Sequence, residues 1–146
     1  MSDALAVIGD SHSLPLLREL VYGFHRFSDL ATLTGAPRTL LTGRLRKLEE
    51  AGVIVRKQYS EHPPRYEYHL TEAGSDLIPV ILGLKEWGER HATEDEPKAV
   101  FRHGCGAELH PLTVCGACRQ EITPDDIEVV GGTHPPHIVR RPSPGL

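Results

Sequence analysis

Cysteine is absent from the first 104 residues of this 146-residue chain, and all three cysteines fall between residues 103 and 118. An odd number of thiols confined to one short stretch argues against a disulfide framework and favours metal or redox chemistry. No apolar run approaches the roughly 18 to 20 residues of a membrane span. The opening residues MSDALAVIGD also lack the basic and apolar regions of a secretory signal. We therefore expect a cytosolic protein.

The usual marks of catalysis are missing as well. The chain shows no nucleophile–base pair, no paired carboxylates and no glycine loop for phosphate. The pairs HGC and VCGAC lack the glutamate of a zinc deaminase, and CGAC lacks the βαβ context of a thioredoxin-like site. We predict that the protein is not an enzyme.

Charge is divided unevenly along the chain. The whole chain carries a formal net charge of −4, which by itself argues against a nucleic-acid partner. Residues 36–69, however, contain seven basic and four acidic side chains, so the rest of the chain carries −7. Such a local excess of positive charge is typical of a surface that meets an acidic partner.

Helical spacing of apolar residues dominates the first fifty positions. After a short helical stretch from residue 4 to residue 8, three helices are expected, with Ser13 and Ser28 as N-caps of the first two. Glycines 23, 35 and 52 are the expected helix ends. In the third helix, the buried stripe consists of Leu41, Leu45 and Leu48.

The hydrophobic period then changes from helical to alternating. VIVRKQY and RYEYHL flank the turn-like SEHPP, which predicts a β-hairpin. Thr71 caps a further helix over residues 72–91, where Pro79 should bend or break the chain. Its apolar stripe contains Leu77, Val80, Ile81, Leu84 and Trp87.

Three helices, a hairpin and a further helix are the element order of a winged helix-turn-helix, a mainly α fold with a small hairpin (α+β). Turning the leucine stripe of the third helix inward leaves a polar, basic face for the major groove of DNA, and the hairpin supplies a wing for the backbone or minor groove. The predicted DNA-binding residues are Arg38, Thr39, Thr42, Gly43, Arg44, Arg46, Lys47 and Arg65. Of these, Arg44 and Lys47 lie beside the face and are expected to touch phosphate.

Four stretches of the sequence carry a family resemblance. They are LLRELVYGFHRFSDL, LLTGRLRKLEEAGVIVRKQY, PPRYEYHLTEAGSDL and LKEWG, in this order. From about Ala4 to Trp87 the chain resembles the HxlR family of winged-helix transcriptional regulators, which is related to MarR. The resemblance implies a cytoplasmic homodimer that binds a palindromic DNA operator and pairs its first and last helices across the dimer.

Two departures from that family matter. Gly9-Asp10-Ser11-His12 stands where the family usually has Gly-Lys-Trp, which changes the local packing. Many oxidant-sensing relatives use a cysteine near the N-terminus, and here none precedes Cys105. The dimer has independent support, because the apolar stripe of residues 77–87 is larger than a small helical core readily covers.

The cysteine segment predicts a structural zinc site in a small C-terminal zinc-ribbon-like module. His103 and Cys105 form one ligand pair, Cys115 and Cys118 form another, and Cys₃His is a standard tetrahedral set. A segment so poor in large apolar side chains also needs added free energy to fold, which a metal supplies. His110 is the competing fourth ligand. Because HxC is tighter than the usual CxxC, a thiol redox couple and thiols without a role stay open.

These patterns divide the chain into four parts. Residues 1–91 form the DNA-binding and dimerisation domain, 92–97 an acidic linker, 98–130 the zinc-binding module and 131–146 a Pro/Gly-rich disordered tail. Two alternative functions remain: a module that docks onto protein instead of DNA, and a redox-responsive regulator that uses the C-terminal cysteines.

Overall fold

A computed structural model of the chain describes residues 1–92 and 99–132, together with the backbone of residues 137 and 138. Its contacts divide the chain into two units, Met1–Glu96 and Pro97–Leu146, and each is treated by itself below. The predicted linker at 92–97 lies almost wholly outside the described residues, as does most of the predicted tail at 131–146.

The first unit consists of short helices and one hairpin. Its elements are α1 (Ser2–Ile8), α2 (Ser13–Val21), α3 (Phe27–Thr34), α4 (Arg38–Glu50), β1 (Ile54–Glu61), β2 (Pro64–Leu70), α5 (Glu72–Ser75) and α6 (Ile78–His91). The order confirms the predicted winged helix-turn-helix and its α+β class. None of the helices in the described part of the chain has the length and apolarity of a membrane span.

The helix ends agree with the sequence only in part. Gly35 adopts a φ of +63° at the end of α3, a conformation that glycine reaches without steric cost. Both serine N-cap predictions are wrong: Ser13 is the first residue of α2, and Ser28 is the second residue of α3. Asp10 replaces Ser13 in this role, because its carboxylate accepts hydrogen bonds from the backbone N–H groups of His12 and Ser13, each at 3.0 Å.

The helix predicted over residues 72–91 is interrupted just before Pro79, between Ser75 and Ile78. The chain leaves α5 at Ser75, and α6 begins at Ile78, with Pro79 in its first turn. A proline in that position needs no backbone N–H bond, so the helix starts there instead of being bent.

The corner between the hairpin and α5 is held by Thr71 and Gly74. The Thr71 hydroxyl donates to the carbonyl oxygen of Gly52 at 2.6 Å and accepts from the Gly74 N–H at 3.1 Å, which confirms Thr71 as a cap. Gly74 is buried, and a side chain there would collide with the carbonyl oxygen of Val53. The corner therefore requires glycine at this position.

Leucines from α2, α3 and α4 form the centre of the core. Leu17, Leu30 and Leu48 are fully buried, and Leu16, Leu41, Leu45 and Ile54 are close to it. The predicted stripe of α4 is confirmed at each of its three leucines. In α3, Leu30 is fully buried whereas Leu33 is exposed.

The wing is an antiparallel hairpin with a bulge. Ile54 pairs with Leu70 at its base, and the register shifts between Gln58 and Ser60 near its tip. A third segment joins it: Arg26 forms an antiparallel bridge with Glu67, and the Tyr68 N–H donates to the His25 carbonyl oxygen at 2.9 Å. The start of α3 is therefore tied to β2.

The second unit is built from tight turns. Antiparallel bridges join Arg102 to Glu108 and Val114 to Glu121, each closing a turn that contains cysteine. A short 3₁₀ turn (Pro124–Asp126) leads to β3 (Glu128–Val129), which pairs with β4 (His137–Ile138). β4 falls within residues 131–146, the segment that the sequence predicts to be disordered. Its two residues are paired with β3 through the backbone.

Candidate nucleic-acid interface

Helix α4 has two faces of opposite character. Leu41, Leu45 and Leu48 face the core, and this orientation leaves Thr39, Thr42, Gly43 and Arg46 exposed on the other side of the helix. Arg38 is exposed at its first turn. We call this exposed surface the outer face of α4; it consists of Arg38, Thr39, Thr42, Gly43 and Arg46.

Small and polar groups fill the centre of this outer face. Nothing lies within 4 Å of the position that a Cβ on Gly43 would occupy, so packing inside the protein does not require glycine there. The Thr42 hydroxyl donates to the Arg38 carbonyl oxygen at 2.9 Å, which holds this exposed side chain against its own helix. A surface of this kind permits close approach by an external partner.

Arg46 stands at the end of the same face. Its Nε donates to the Glu50 carboxylate at 2.7 Å, one turn farther along the helix, and the hydrogen bond and charge of Glu50 raise the pKa of Arg46. Both side chains are mostly exposed. The guanidinium is therefore oriented along the helix while remaining accessible from outside.

Arg44 points away from this face. Its Nη1 lies 3.2 Å from the Asp10 carboxylate at the α1–α2 junction, and its buried Nε has no acceptor within the described residues. Burial acts to raise the pKa of Asp10, but hydrogen bonds from the Ser13 hydroxyl and from the backbone N–H groups of His12 and Ser13, together with the charge of Arg44, lower it overall. Arg44 thus anchors α4 to the α1–α2 junction. Lys47 is half-buried and also off the outer face.

The wing adds two arginines. Arg65, which was predicted, is exposed near the tip of the hairpin. Arg26 was not predicted: its guanidinium lies 5.0 Å from the ring centre of Tyr59, and its Nε is 3.4 Å from the Glu67 carboxylate. The position of Arg26 before a predicted helix start was the only available signal, since its wing neighbours are remote in the sequence.

The predicted dimerisation residues of α6 divide into two groups. Ile81 is 6% exposed and Leu77 packs against the core, so both belong to the interior of the unit. Val80, Leu84 and Trp87 are 49%, 49% and 57% exposed, at helical spacing on one side. We call these three residues the α6 apolar face.

The first cysteine turn in the second unit spans residues 103–106. The Gly106 N–H donates to the His103 carbonyl oxygen at 2.8 Å, and the Cys105 N–H donates to the Nδ1 of His103 at 3.3 Å. This contact leaves Nε2 as the imidazole nitrogen with which His103 would bind a metal. The Nε2 of His110, the competing ligand, lies 4.0 Å from the Glu108 carboxylate.

The second cysteine turn runs from Cys115 to Arg119. The Arg119 N–H closes it by donating to the Cys115 carbonyl oxygen at 2.8 Å. Hydrogen bonds to Cys115 Sγ from the Cys118 N–H, the Ala117 N–H and the Cys118 thiol lower the pKa of Cys115. The two thiols of the CxxC therefore act on each other directly.

The structure does not assemble the predicted zinc set as one cluster. Among the described residues, no group of three or more His, Cys, Asp and Glu side chains is arranged to hold a metal ion. His103 and Cys105 share one turn, and Cys115 and Cys118 share the other. The four-ligand zinc site stays a prediction.

Comparison with protein families finds a match over most of the first unit. The model of the HxlR-like helix-turn-helix family matches residues 7–96. An HTH-type transcriptional regulator of Mycobacterium tuberculosis, Rv3095, is 42% identical over 122 residues, covering 82% of this chain and 77% of that protein. YdeP, an HTH-type transcriptional regulator of Bacillus subtilis, is 43% identical over 88 residues, covering 60% of this chain and 69% of that protein.

Solved structures show the same fold. PA1607, a candidate transcription factor, shares 30% sequence identity at a TM-score of 0.74, covering 86% of this chain and 89% of that one. The redox regulator HypR in its reduced form shares 37% identity at a TM-score of 0.57, covering 61% of this chain and 89% of that one.

The similarity is not confined to the first unit. Met1–Glu96 makes up about two thirds of the 146 residues, whereas the matches to Rv3095 and PA1607 cover 82% and 86% of the chain. Both therefore extend into the second unit. The family model, by contrast, ends at residue 96.

Proposed function

The chain belongs to the HxlR-like helix-turn-helix family and is a DNA-binding transcriptional regulator; we propose that it binds a palindromic operator as a homodimer. In this proposal the outer face of α4 enters the major groove, and the wing contacts the backbone or the adjacent minor groove. The protein acts by binding and not by catalysis. Because it works on the chromosome, we place it in the cytoplasm at the nucleoid.

The observation that carries the proposal is the division of α4 into two faces. Burial of Leu41, Leu45 and Leu48 leaves no freedom in the rotation of the helix, so Thr39, Thr42, Gly43 and Arg46 must face outward. Arginine recognises guanine or phosphate through its planar fork, while threonine and glycine allow a close approach to base edges. Arg44, being paired with Asp10, is not part of this proposed surface.

The α6 apolar face supports the homodimer. Val80, Leu84 and Trp87 lie at helical spacing on one side of α6 and are each about half exposed in the single chain. Contiguous apolar patches of this kind mark interaction surfaces on soluble proteins. A second copy of α6 supplies a matching apolar surface, and the resulting two-fold axis sets two α4 helices against half-sites about one helical turn of DNA apart.

Binding to the DNA upstream of the protein's own gene tests the DNA-binding face. We expect Arg46→Ala and Arg38→Ala to weaken binding to a specific fragment, each by about 1 to 3 kcal/mol if the arginine reads a base. Arg90→Ala, an exposed arginine in α6, is the matched control. If Arg46→Ala and Arg38→Ala bind DNA as tightly as the control does, the outer face of α4 is not part of the DNA interface.

Oligomeric state tests the α6 apolar face. Leu84→Asp places a charge at the centre of the face without touching the core, so we expect a folded monomer with weakened operator binding. Leu112→Asp, at a 68% exposed leucine of the second unit, is the control and should leave the dimer intact. Light scattering that finds wild-type protein monomeric at micromolar concentration would contradict the dimer.

We also propose that the second unit binds a structural zinc ion through Cys105, Cys115, Cys118 and the Nε2 of His103. The support is chemical: two tight turns each present a pair of zinc-type ligands, and backbone N–H groups already point to Cys115 Sγ. This proposal requires the two turns to close on each other. When bound, zinc would supply cross-linking free energy to a unit with little apolar core.

Elemental analysis of the purified protein tests the zinc proposal. We expect about one zinc per chain in the wild type and its loss in Cys115→Ser, with His110→Ala retaining metal and His103→Ala losing it. A metal-free wild type whose Cys115 and Cys118 form a disulfide on mild oxidation would instead favour the redox-responsive regulator. The contact between these two thiols is the observation that keeps that second function open.

A further inference from the structure

A cleft of about 480 Å³ opens in the first unit between the wing and the first turns of α3 and α4. Three arginines line it: Arg26 before α3, Arg38 at the start of α4 and Arg65 on β2. Rings of Tyr59 and Tyr66 form part of its wall. The cleft thus lies directly beside the outer face of α4, with which it shares Arg38.

The electrostatic character of the cleft is strongly positive. No carboxylate is among the residues that line it, while three guanidinium groups are. Outside the lining, the Glu67 carboxylate lies 3.4 Å from the Nε of Arg26 and 3.5 Å from the Nε2 of His69. Three arginines and no carboxylate in the lining give the walls of the cleft an excess of positive charge, which attracts an oxyanion.

Two of the arginines are held in place by neighbouring aromatic rings. Arg26 lies over Tyr59 at 5.0 Å and Arg38 over Phe27 at 4.8 Å. The backbone of Arg26 is further fixed by its bridge to Glu67 on β2. Because these contacts order the guanidinium groups in advance, less side-chain entropy is lost when an anion binds.

We propose that this cleft receives a phosphodiester of the DNA backbone, with Arg26 as a contact residue and Tyr59 as a residue that positions it; the inference rests on the proposed DNA-binding function. The location distinguishes phosphate from a base edge. The Arg26 guanidinium lies over Tyr59 of the wing and not on the outer face of α4, and a backbone strand is the part of DNA that borders a helix in the major groove.

The contact would set the register of the protein on DNA without reading sequence. Seating one phosphate between α4 and the wing ties both elements to the same strand, so the α4 face meets a defined set of base pairs. Arg26 contributes to affinity on all DNA, whereas Thr39, Thr42 and Arg46 contribute to discrimination between sequences.

The test compares wild type, Arg26→Gln and the charge-matched control Arg90→Gln by fluorescence anisotropy, on the operator and on an unrelated duplex. Counterion release predicts that losing one phosphate contact makes the slope of log K against log salt shallower by about 0.9. The loss in affinity should be about tenfold at 50 mM salt and about threefold at 200 mM, equal on both duplexes. Tyr59→Leu should lower affinity with the slope retained, and Tyr59→Phe should restore it.

The outcomes separate this inference from the function on which it rests. If wild type binds DNA and Arg26→Gln matches the Arg90→Gln control in slope and affinity, the phosphate site is wrong while the DNA-binding function stands. A loss confined to the operator would overturn it too, because it would make Arg26 a base-reading residue. If wild type fails to bind either duplex, both fail together.

Discussion

The two units of this chain are stabilised by different means. The first has a continuous apolar core in which Leu17, Leu30 and Leu48 are fully buried. In the second, no side chain among residues 99–132 is buried, and its turns are closed by backbone hydrogen bonds such as that from the Arg119 N–H to Cys115. An apolar core fixes the orientation of each helix, whereas hydrogen-bonded turns fix only local geometry.

This difference explains why the two candidate sites are defined to different degrees. The outer face of α4 is set by the leucines on its inner face, so the placement of Arg46 follows from packing. The four predicted zinc ligands are placed in pairs by local turns, and nothing in a buried core brings the pairs together. A metal or another partner would have to supply that closure.

The largest expected effect tests where the folding free energy resides. Leu45→Ala should lower the free energy of unfolding of the first unit by about 3 kcal/mol, because it removes a side chain that is 2% exposed and leaves a cavity. Leu112→Ala in the second unit, at 68% exposure, should change it by less than about 0.5 kcal/mol. Urea unfolding measures the free energy of both variants. An equal decrease in the two would contradict the contrast between the units.

An intermediate effect tests the polar anchor of the first unit. Asp10→Ala should cost about 1 to 3 kcal/mol, because it removes the cap of α2 and leaves the half-buried Arg44 without its carboxylate. The folded pKa of Asp10 is below its ordinary value, so its contribution is complete above pH 4 and is lost as pH falls through the folded pKa.

Stability curves at pH 6 and at pH 2 to 3 check this prediction. The difference between wild type and Asp10→Ala should be larger at pH 6 and should shrink in acid. A difference that is constant over this range would show that the charge of Asp10 does not act on Arg44. A matched substitution, Asp125→Ala in the second unit, should leave unfolding of the first unit unchanged at both values.

The smallest effect tests whether Gly43 is present for DNA binding and not for the stability of the first unit. Gly43→Ala should raise the free energy of unfolding by about 0.5 to 1 kcal/mol, since glycine is a poor helix former and a Cβ would meet nothing within 4 Å. We expect the same substitution to weaken DNA binding, because the methyl group occupies space at the outer face. A stabilised variant with unchanged affinity would show that DNA does not approach Gly43 closely.

Much of the first unit was predictable because its signals are local. Leucines at helical spacing, Gly35 at a helix end and Thr71 at a corner each act within a few residues, and the structure confirms them. The N-cap at Ser13 was mispredicted because the Asp10 carboxylate accepts from the backbone N–H groups of His12 and Ser13, and the helix begins at Ser13 itself. Helical spacing does not indicate where the core ends: Leu33 has the same spacing as a core residue of α3 and is exposed.

The sequence by itself determined the order of elements, the two faces of α4 and the pairing of the thiol and imidazole groups within short turns. Only the tertiary structure decided that Arg44 binds Asp10, that Ile81 is core while Val80, Leu84 and Trp87 are exposed, and that Arg26 joins the wing. The physical reason is range. Periodicity and turn chemistry act over a few residues, whereas these three outcomes depend on contacts between segments that are distant in the chain and meet only when the core closes.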